Sequence, residues 1–422
     1  MTIAAFLATT TVVPLSSIEC YRTGIQPYYR SSPQSEFLPT RAGRTRRGHV
    51  GTDLGGRIDN AEAEELVAGM GFNLGPSSCD ASLVSRRSRR RRRQSDDAPD
   101  DQPTHGQEVD LKFLEVDDYS VPIQDVLAFE RDGHTVTRGV FSERQLEALS
   151  PSILAGFEQH EMEALRQKVS VWFGDETALS LETAPQLRAR LKRLAPDEVP
   201  FLQVFNMFRK DGPHRTIIEK LVLSPRLAQI AGQLLGCKKL RLYQDSTFCK
   251  RPGDGPTRWH SDLTMAPLDC NDFVTAWIPL APVPSIREGG SPLVFASRSH
   301  RDFALNHWQD PRLRDDLSAI WITPGLDNHD GGLCRLLAGD LTWHHGWTLH
   351  TSPGNHLDEP RVALAISYMR DGTRLLHDST GRVPDPEDKW SYGDWLEDLS
   401  KGDVVDHAAV PLVWEGGQEG KP

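Results

Sequence analysis

His260 and Asp262 stand two residues apart, and a second imidazole, His350, lies far downstream with Arg361 close behind it. Two neutral imidazoles and one carboxylate are the donors of a 2-His-1-carboxylate facial triad, which grips one face of a non-haem Fe(II) and leaves the other open. On a strand, residues i and i+2 point to the same side, so His260 and Asp262 are expected to share one ion. The planar fork of an arginine suits a bidentate carboxylate, which makes Arg361 the expected anchor of a dicarboxylate co-substrate. Together these parts imply oxidation by O2, with Fe(2+) as the metal and 2-oxoglutarate as the co-substrate.

These residues need a rigid scaffold, and the chain supplies its signals in order. A strand-like stretch at 134–141 runs into Ser142-Glu143-Arg144-Gln145, a capping-box pattern at a helix start. A second helix is expected after Ser224, with Pro225 in its first turn, Leu227, Ile230, Ala231 and Leu234 along one face, and Gly236 ending it. The pattern then changes to strands at 240–248, 273–280, 293–296, 341–345 and 361–369. Turn signals separate them, among them Pro252-Gly253-Asp254-Gly255, Glu288-Gly289-Gly290 and Gly339-Asp340. Helices first and short strands after predict an α+β domain with an antiparallel barrel or jelly roll.

Charge and cysteine usage exclude several classes. The net charge is −11, yet residues 1–107 hold 14 Arg, no Lys and 12 acids, so the rest of the chain is the acidic part. An acidic body argues against nucleic acid as a partner, because that binding depends on Lys and Arg neutralising phosphates. The 6 cysteines contain no C-x-x-C pair, so neither a cysteine zinc site nor a disulfide framework is expected. No stretch reaches the roughly 20 apolar residues of a membrane span.

Residues 1–107 read as a disordered segment rather than a domain. Ala4 to Ser17 is apolar and hydroxyl-rich, and Arg22, Arg30, Arg41, Arg44, Arg46 and Arg47 follow with few acids between them. That composition suits an organelle transit segment, for plastid or mitochondrion, with a cytoplasmic tail as the alternative. Arg86, Arg87 and Arg89 through Arg93 form a like-charge block before Asp96 and Asp97, which marks a solvated linker. The folded body is expected over 108–422.

Across about 125–375 the chain resembles the phytanoyl-CoA dioxygenase family of Fe(II)- and 2-oxoglutarate-dependent oxygenases, built on a double-stranded β-helix. An isolated H-x-D recurs by chance, and the ordered set carries the resemblance: Phe129-Glu130-Arg131-Asp132-Gly133, Lys250-Arg251-Pro252-Gly253, Trp259-His260-Ser261-Asp262, Trp277-Ile278-Pro279-Leu280, His345-Gly346-Trp347-Thr348-Leu349-His350 and Pro360-Arg361. The resemblance implies that His260, Asp262 and His350 hold the iron and that Arg361 holds the far carboxylate of 2-oxoglutarate. It implies further co-substrate contacts at Lys250, Trp277 and Ser352, and a substrate-facing position at Gln244, with Ser246 on the same side of that strand. Only His350 has the family's interval to an arginine, so His344 and His345 are read as structural. Asp262, where related halogenases carry Ala or Gly, favours oxygenation.

The expected activity is hydroxylation of an unactivated C–H in a small-molecule substrate or acyl thioester. Two alternatives stand beside it. One keeps the site but acts on a protein or peptide side chain, and the other uses the barrel as a non-catalytic binding module. The segment 301–335, with Trp308 and Trp321, is expected to shape the pocket. Neither substrate identity nor oligomeric state is legible.

Overall fold

The computed structural model describes residues 111–115, 119–195, 199–302, 335–377 and 389–416. The transit-like segment, the arginine block and the expected start of the body at 108 lie outside the described residues, as do Trp308 and Trp321.

Helix α1 (Ile123–Asp132) leads into strand β1 (His134–Thr137). The strand is shorter than the sequence suggested because the chain turns to meet a carboxylate. Arg138 Nη1 and the Gly139 N–H both donate to Asp340, at 2.8 and 3.0 Å. Gly339, in the same turn, has φ +86°, and a Cβ there would lie 1.8 Å from the Phe141 carbonyl oxygen, so only glycine fits. The capping box at Ser142 forms as expected. Its hydroxyl accepts from the Gln145 N–H, the Gln145 side chain accepts from the Ser142 N–H, and helix α2 (Glu143–Phe173) follows.

Helices α3 (Asp175–Ser180) and α4 (Ala184–Leu194), strand β2 (Leu202–Phe205) and helices α5 (Arg215–Val222) and α6 (Pro225–Leu235) complete the helical half. Gly236 ends α6 in the left-handed conformation, as expected. Ser224, however, does not cap it: its hydroxyl donates to the Leu114 carbonyl at 2.7 Å, tying the helix start to an earlier segment.

The strand half runs β3 (Lys239–Lys250), β4 (Thr257–His260), the one-turn helix α7 (Asp262–Met265), β5 (Leu268–Asp269), β6 (Phe273–Pro279), β7 (Val294–Phe295), β8 (Leu341–His345), β9 (His350–Ser352), β10 (Arg361–Arg370) and β11 (Arg374–Leu375). Helix α8 (Lys389–Leu396) and β12 (Leu412–Glu415) close it. The fold is α+β with antiparallel sheets. The large sheet has seven strands in the order β1-β8-β6-β10-β3-β12, with β2 also paired to β3, and the small sheet has the order β4-β9-β7.

One face of the large sheet is the main core. Leu364, Ile366 and Tyr368 of β10, Val274, Ala276 and Ile278 of β6, and Leu341 and Trp343 of β8 cluster with Leu149, Ile153 and Leu165 of α2 and Leu227 and Ile230 of α6. Each such leucine, isoleucine or valine contributes about 1.5–3 kcal/mol by leaving water. The other face carries the chemistry, and strand register orders it in rows. Gln244, Ser367, Thr275, His344 and His134 lie side by side across β3, β10, β6, β8 and β1. Ser246, Ala365, Trp277, Thr342 and Val136 form the next row, and Lys250 pairs with Arg361 at the far end.

Gln244 joins this face only through a bulge. The β3–β10 register shifts between Ser367 and Tyr368, so Tyr243 is an extra residue and the alternation changes phase. Leu240 and Leu242 pack in the main core, while Phe248 packs with Trp277, Ala363 and Ala365 on the opposite side.

Candidate functional site

His260 and His350 face each other directly across β4 and β9. Their rings lie 4.1 Å apart. Each ring contacts a backbone carbonyl through Nδ1: His260 the Arg258 oxygen at 2.8 Å, His350 the Thr348 oxygen at 3.1 Å. A carbonyl only accepts, so both Nδ1 atoms carry the proton and the lone pair of each ring lies on Nε2. Those Nε2 atoms sit 3.8 and 3.6 Å from one oxygen of Asp262, Oδ1. Ligand atoms of all three residues fall within 4.8 Å of one another, a spacing that one metal ion can bridge.

The expected strand placement of Asp262 is corrected. β4 stops at His260, and Asp262 opens helix α7. Ser261 between them is still extended (φ −125°, ψ 140°), which keeps the two side chains on one side although the strand has ended. The Ser261 hydroxyl pairs with Thr264 Oγ1 at 2.5 Å and holds this corner.

The electrostatics prepare the three groups for a cation. Burial opposes ionisation of Asp262, but the adjoining His344 ring and its hydrogen bond to the carboxyl work against it, and the carboxyl is held well below its usual range. His350 is pushed well below the ordinary imidazole value by burial, with His260 and His344 adding to the effect, so it stands neutral. A carboxylate and a neutral imidazole are the protonation states that ligation requires.

Arg361 supplies the second half of the site. Its Nη2 donates to Ser352 Oγ at 2.9 Å, and its guanidinium carbon lies 5.2 Å from the Trp277 ring centre. Its Nε is buried with no hydrogen-bond partner, and no carboxylate among the described residues forms an ion pair with it. Desolvation lowers its pKa to about 10. A half-buried cation with an unfilled, buried donor is a receptor for an anion. The two interior positions of β10 between Arg361 and Ser367 are Ala363 and Ala365, so nothing longer than a methyl group projects from that strand between the arginine and the polar row.

The remaining expected residues divide. Trp277 lies under the Arg361 guanidinium, and Ser352 accepts from both Arg361 and Lys250. Lys250 is fully buried and directed at backbone: its Nζ donates to the Ser352 and Pro353 carbonyls at 3.0 and 2.8 Å. It is therefore a tie beneath the arginine rather than a free ammonium in the pocket, and burial beside Arg361 pulls its pKa down to about 6. Ser246 accepts a 2.6 Å hydrogen bond from Gln203, and Gln244 shares its face with a buried, unpaired Oε1.

His345, expected to be structural, bonds to backbone. Its Nδ1 accepts from the Trp347 N–H, and burial, then His300 and His344, lower its pKa to about 3. His344 is not merely structural, since its Nε2 lies 3.1 Å from Asp262 Oδ2. Sequence reasoning also missed Thr275, Ser367 and Ser291, which touch Asp262, Thr275 and Ser352 respectively. Period-2 counting from Arg361 and Trp277 could have found Ser367 and Thr275.

Comparison with known proteins places the chain. The family model described as phytanoyl-CoA dioxygenase matches residues 129–363, more than half of the chain. The chain belongs to the phytanoyl-CoA dioxygenase family. A probable alpha-ketoglutarate-dependent hypophosphite dioxygenase from Stutzerimonas stutzeri is 28% identical over 38% of this chain; the match spans 56% of that relative's length, little more than half. A phytanoyl-CoA dioxygenase domain-containing protein 1 homolog from Caenorhabditis elegans is 24% identical over 64% of this chain and 93% of its own. Among solved structures, the non-heme alpha ketoglutarate dependent carbocyclase SnoK from nogalamycin biosynthesis shares the fold, with a TM-score of 0.50 and 24% identity over 70% of this chain and 96% of that one.

Proposed function

We propose that this chain is an Fe(II)- and 2-oxoglutarate-dependent dioxygenase that hydroxylates an unactivated C–H of a small molecule or acyl thioester, in a site between two sheets that close as a double-stranded β-helix. One observation carries the reading: Asp262 Oδ1 faces Nε2 of both His260 and His350, while Arg361 keeps a buried Nε without a hydrogen-bond partner. His260, Asp262 and His350 would hold the iron, which with 2-oxoglutarate and O2 would supply the oxidising power, the keto acid ending as succinate and CO2.

The chain's own residues position these partners. The two Nδ1–H hydrogen bonds fix the orientation of both imidazoles, and burial keeps His350 neutral. Arg361, braced by Ser352 and lying against Trp277, grips the far carboxylate of the keto acid as a fork. Lys250 and Ser291 hold Ser352 and the Pro353 carbonyl behind it. Gln244 and Ser246 face the substrate side.

Anaerobic binding of Fe(II) and 2-oxoglutarate, followed by succinate release on adding O2, tests the assignment. Succinate formation that depends on iron and is lost in His350→Ala is expected. Turnover of 2-oxoglutarate by that variant at the wild-type rate would remove it. Stimulation of succinate release by a metabolite extract, but not by a protein extract, is expected from a small-molecule substrate.

A further inference from the structure

Asp262 uses its two oxygens differently. Oδ1 faces the imidazoles, whereas Oδ2 is turned away and accepts from two side chains of the large sheet: Thr275 Oγ1 at 2.6 Å and His344 Nε2 at 3.1 Å. An ionised carboxylate can only accept, so Thr275 gives its single proton to Oδ2. Ser367 Oγ, 2.9 Å from Thr275 Oγ1, must then donate to Thr275. By the same reasoning His344 carries its proton on Nε2, which removes that nitrogen as a metal ligand. Ser367, Thr275 and His344 are register neighbours on β10, β6 and β8, all nearly or fully buried.

We infer that this row is a clamp that makes Asp262 a one-oxygen ligand. It rests on the iron reading above and deepens it. Two donors occupy Oδ2, so only Oδ1 remains to face the ion. The difference bears on the reaction. A carboxylate that offers one oxygen would leave more room at a bound ion for co-substrate and O2 than one bound through both. Thr275, His344 and Ser367 are positioning residues: they act through Asp262, not on substrate.

The test is metal affinity, measured by anaerobic titration of the full chain with Fe(II) and with Co(II), whose visible spectrum reports coordination number. Thr275→Val and His344→Leu each remove one donor to Oδ2, and each is expected to weaken metal binding about 10-fold, the range for lost outer-shell partners. In both, the Co(II) spectrum moves toward higher coordination number. Thr275→Ser and His344→Gln keep a donor and are expected to stay within about 3-fold of wild type on the same scale. Melting of the metal-free proteins checks the fold. Should Thr275→Val unfold, Ser367→Ala, one hydrogen bond further away, carries the test with a smaller weakening. Wild-type affinity and spectrum in Thr275→Val and His344→Leu together would overturn the clamp alone. Loss of all binding in His344→Gln but none in Thr275→Val would overturn it by making His344 a ligand. A wild-type chain that binds neither ion would overturn the iron reading and the clamp with it.

Discussion

The two sheets divide the labour of the site unequally. The large sheet has long strands, such as the ten-residue β10, and one face sealed by α2 and α6. The small sheet is made of β4, β7 and β9, no more than four residues each, and its β4–β9 register slips between Thr257 and His260. Yet the small sheet carries both imidazoles of the candidate metal site and leads directly into its carboxylate. The large sheet carries the groups around them: Thr275 and His344 on Asp262, and Arg361 against Trp277 where the proposed co-substrate would bind. A metal site thus needs little regular structure beneath its ligands when a rigid wall opposite fixes their orientation, and an ion can tie the short strands together as folding energy.

The sharpest break of this comparison is Asp262→Ala. Metal binding and 2-oxoglutarate turnover should both vanish, while circular dichroism and the melting of the metal-free protein stay close to wild type, because the large-sheet core does not use the ion. Next comes Arg361→Leu. Losing one partner of a buried charge pair costs about 2–5 kcal/mol, so the KM for 2-oxoglutarate should rise about 100-fold while Fe(II) affinity holds, as read by steady-state kinetics and titration. Ile366→Ala attacks the other face of the same strand, where Ile366 is fully buried. Denaturant unfolding should show a loss of about 2–5 kcal/mol, with metal affinity unchanged; equal damage to both would mean the two faces are not separable.

Lys250 gives a subtler probe. Burial and Arg361 hold its pKa near about 6 in the free protein, well under the ordinary lysine value. A lowered lysine means that the unfolded chain binds more protons, so this residue's contribution to stability rises with pH above about 6. A dianion arriving at Arg361 raises the Lys250 pKa again, and binding takes up a proton. The Kd for 2-oxoglutarate should therefore weaken as pH climbs above about 6, and calorimetry in buffers of different ionisation enthalpy should show the uptake at pH ~7.5. Lys250→Met should abolish the buffer dependence. The smallest effect is local. Adding Mn(II), a redox-quiet stand-in, should slow amide exchange more in 257–262 and 350–352 than in 239–250 or 361–370; uniform slowing would erase the contrast between the sheets.

Much of the frame was open to reading along the chain. The Ser142 capping box, the amphipathic α6 ended by Gly236, and the β10 run from Arg361 are local patterns, governed by neighbours a few residues away. The three candidate donors and their order were equally plain, because the donor chemistry of His and Asp belongs to the residue types. Other features needed folding. Leu240, Leu242 and Gln244 alternate as if they shared one face, and only the bulge at Tyr243 turns Gln244 away from the leucines. Ser224 reads as a cap but bonds to Leu114, a segment distant in sequence.

The sequence by itself determined which atoms are available to bind a metal and an anion, since donor chemistry belongs to residue type and period-2 alternation to the strand. Only the tertiary structure decided that Oδ2 of Asp262 is occupied while Oδ1 faces the imidazoles, that Lys250 is spent on carbonyls, and that Arg361 meets no carboxylate among the described residues. Those outcomes depend on which side chains from separate strands meet at 2.6 to 3.1 Å, and register and sheet packing set such distances, not the spacing of residues along the chain.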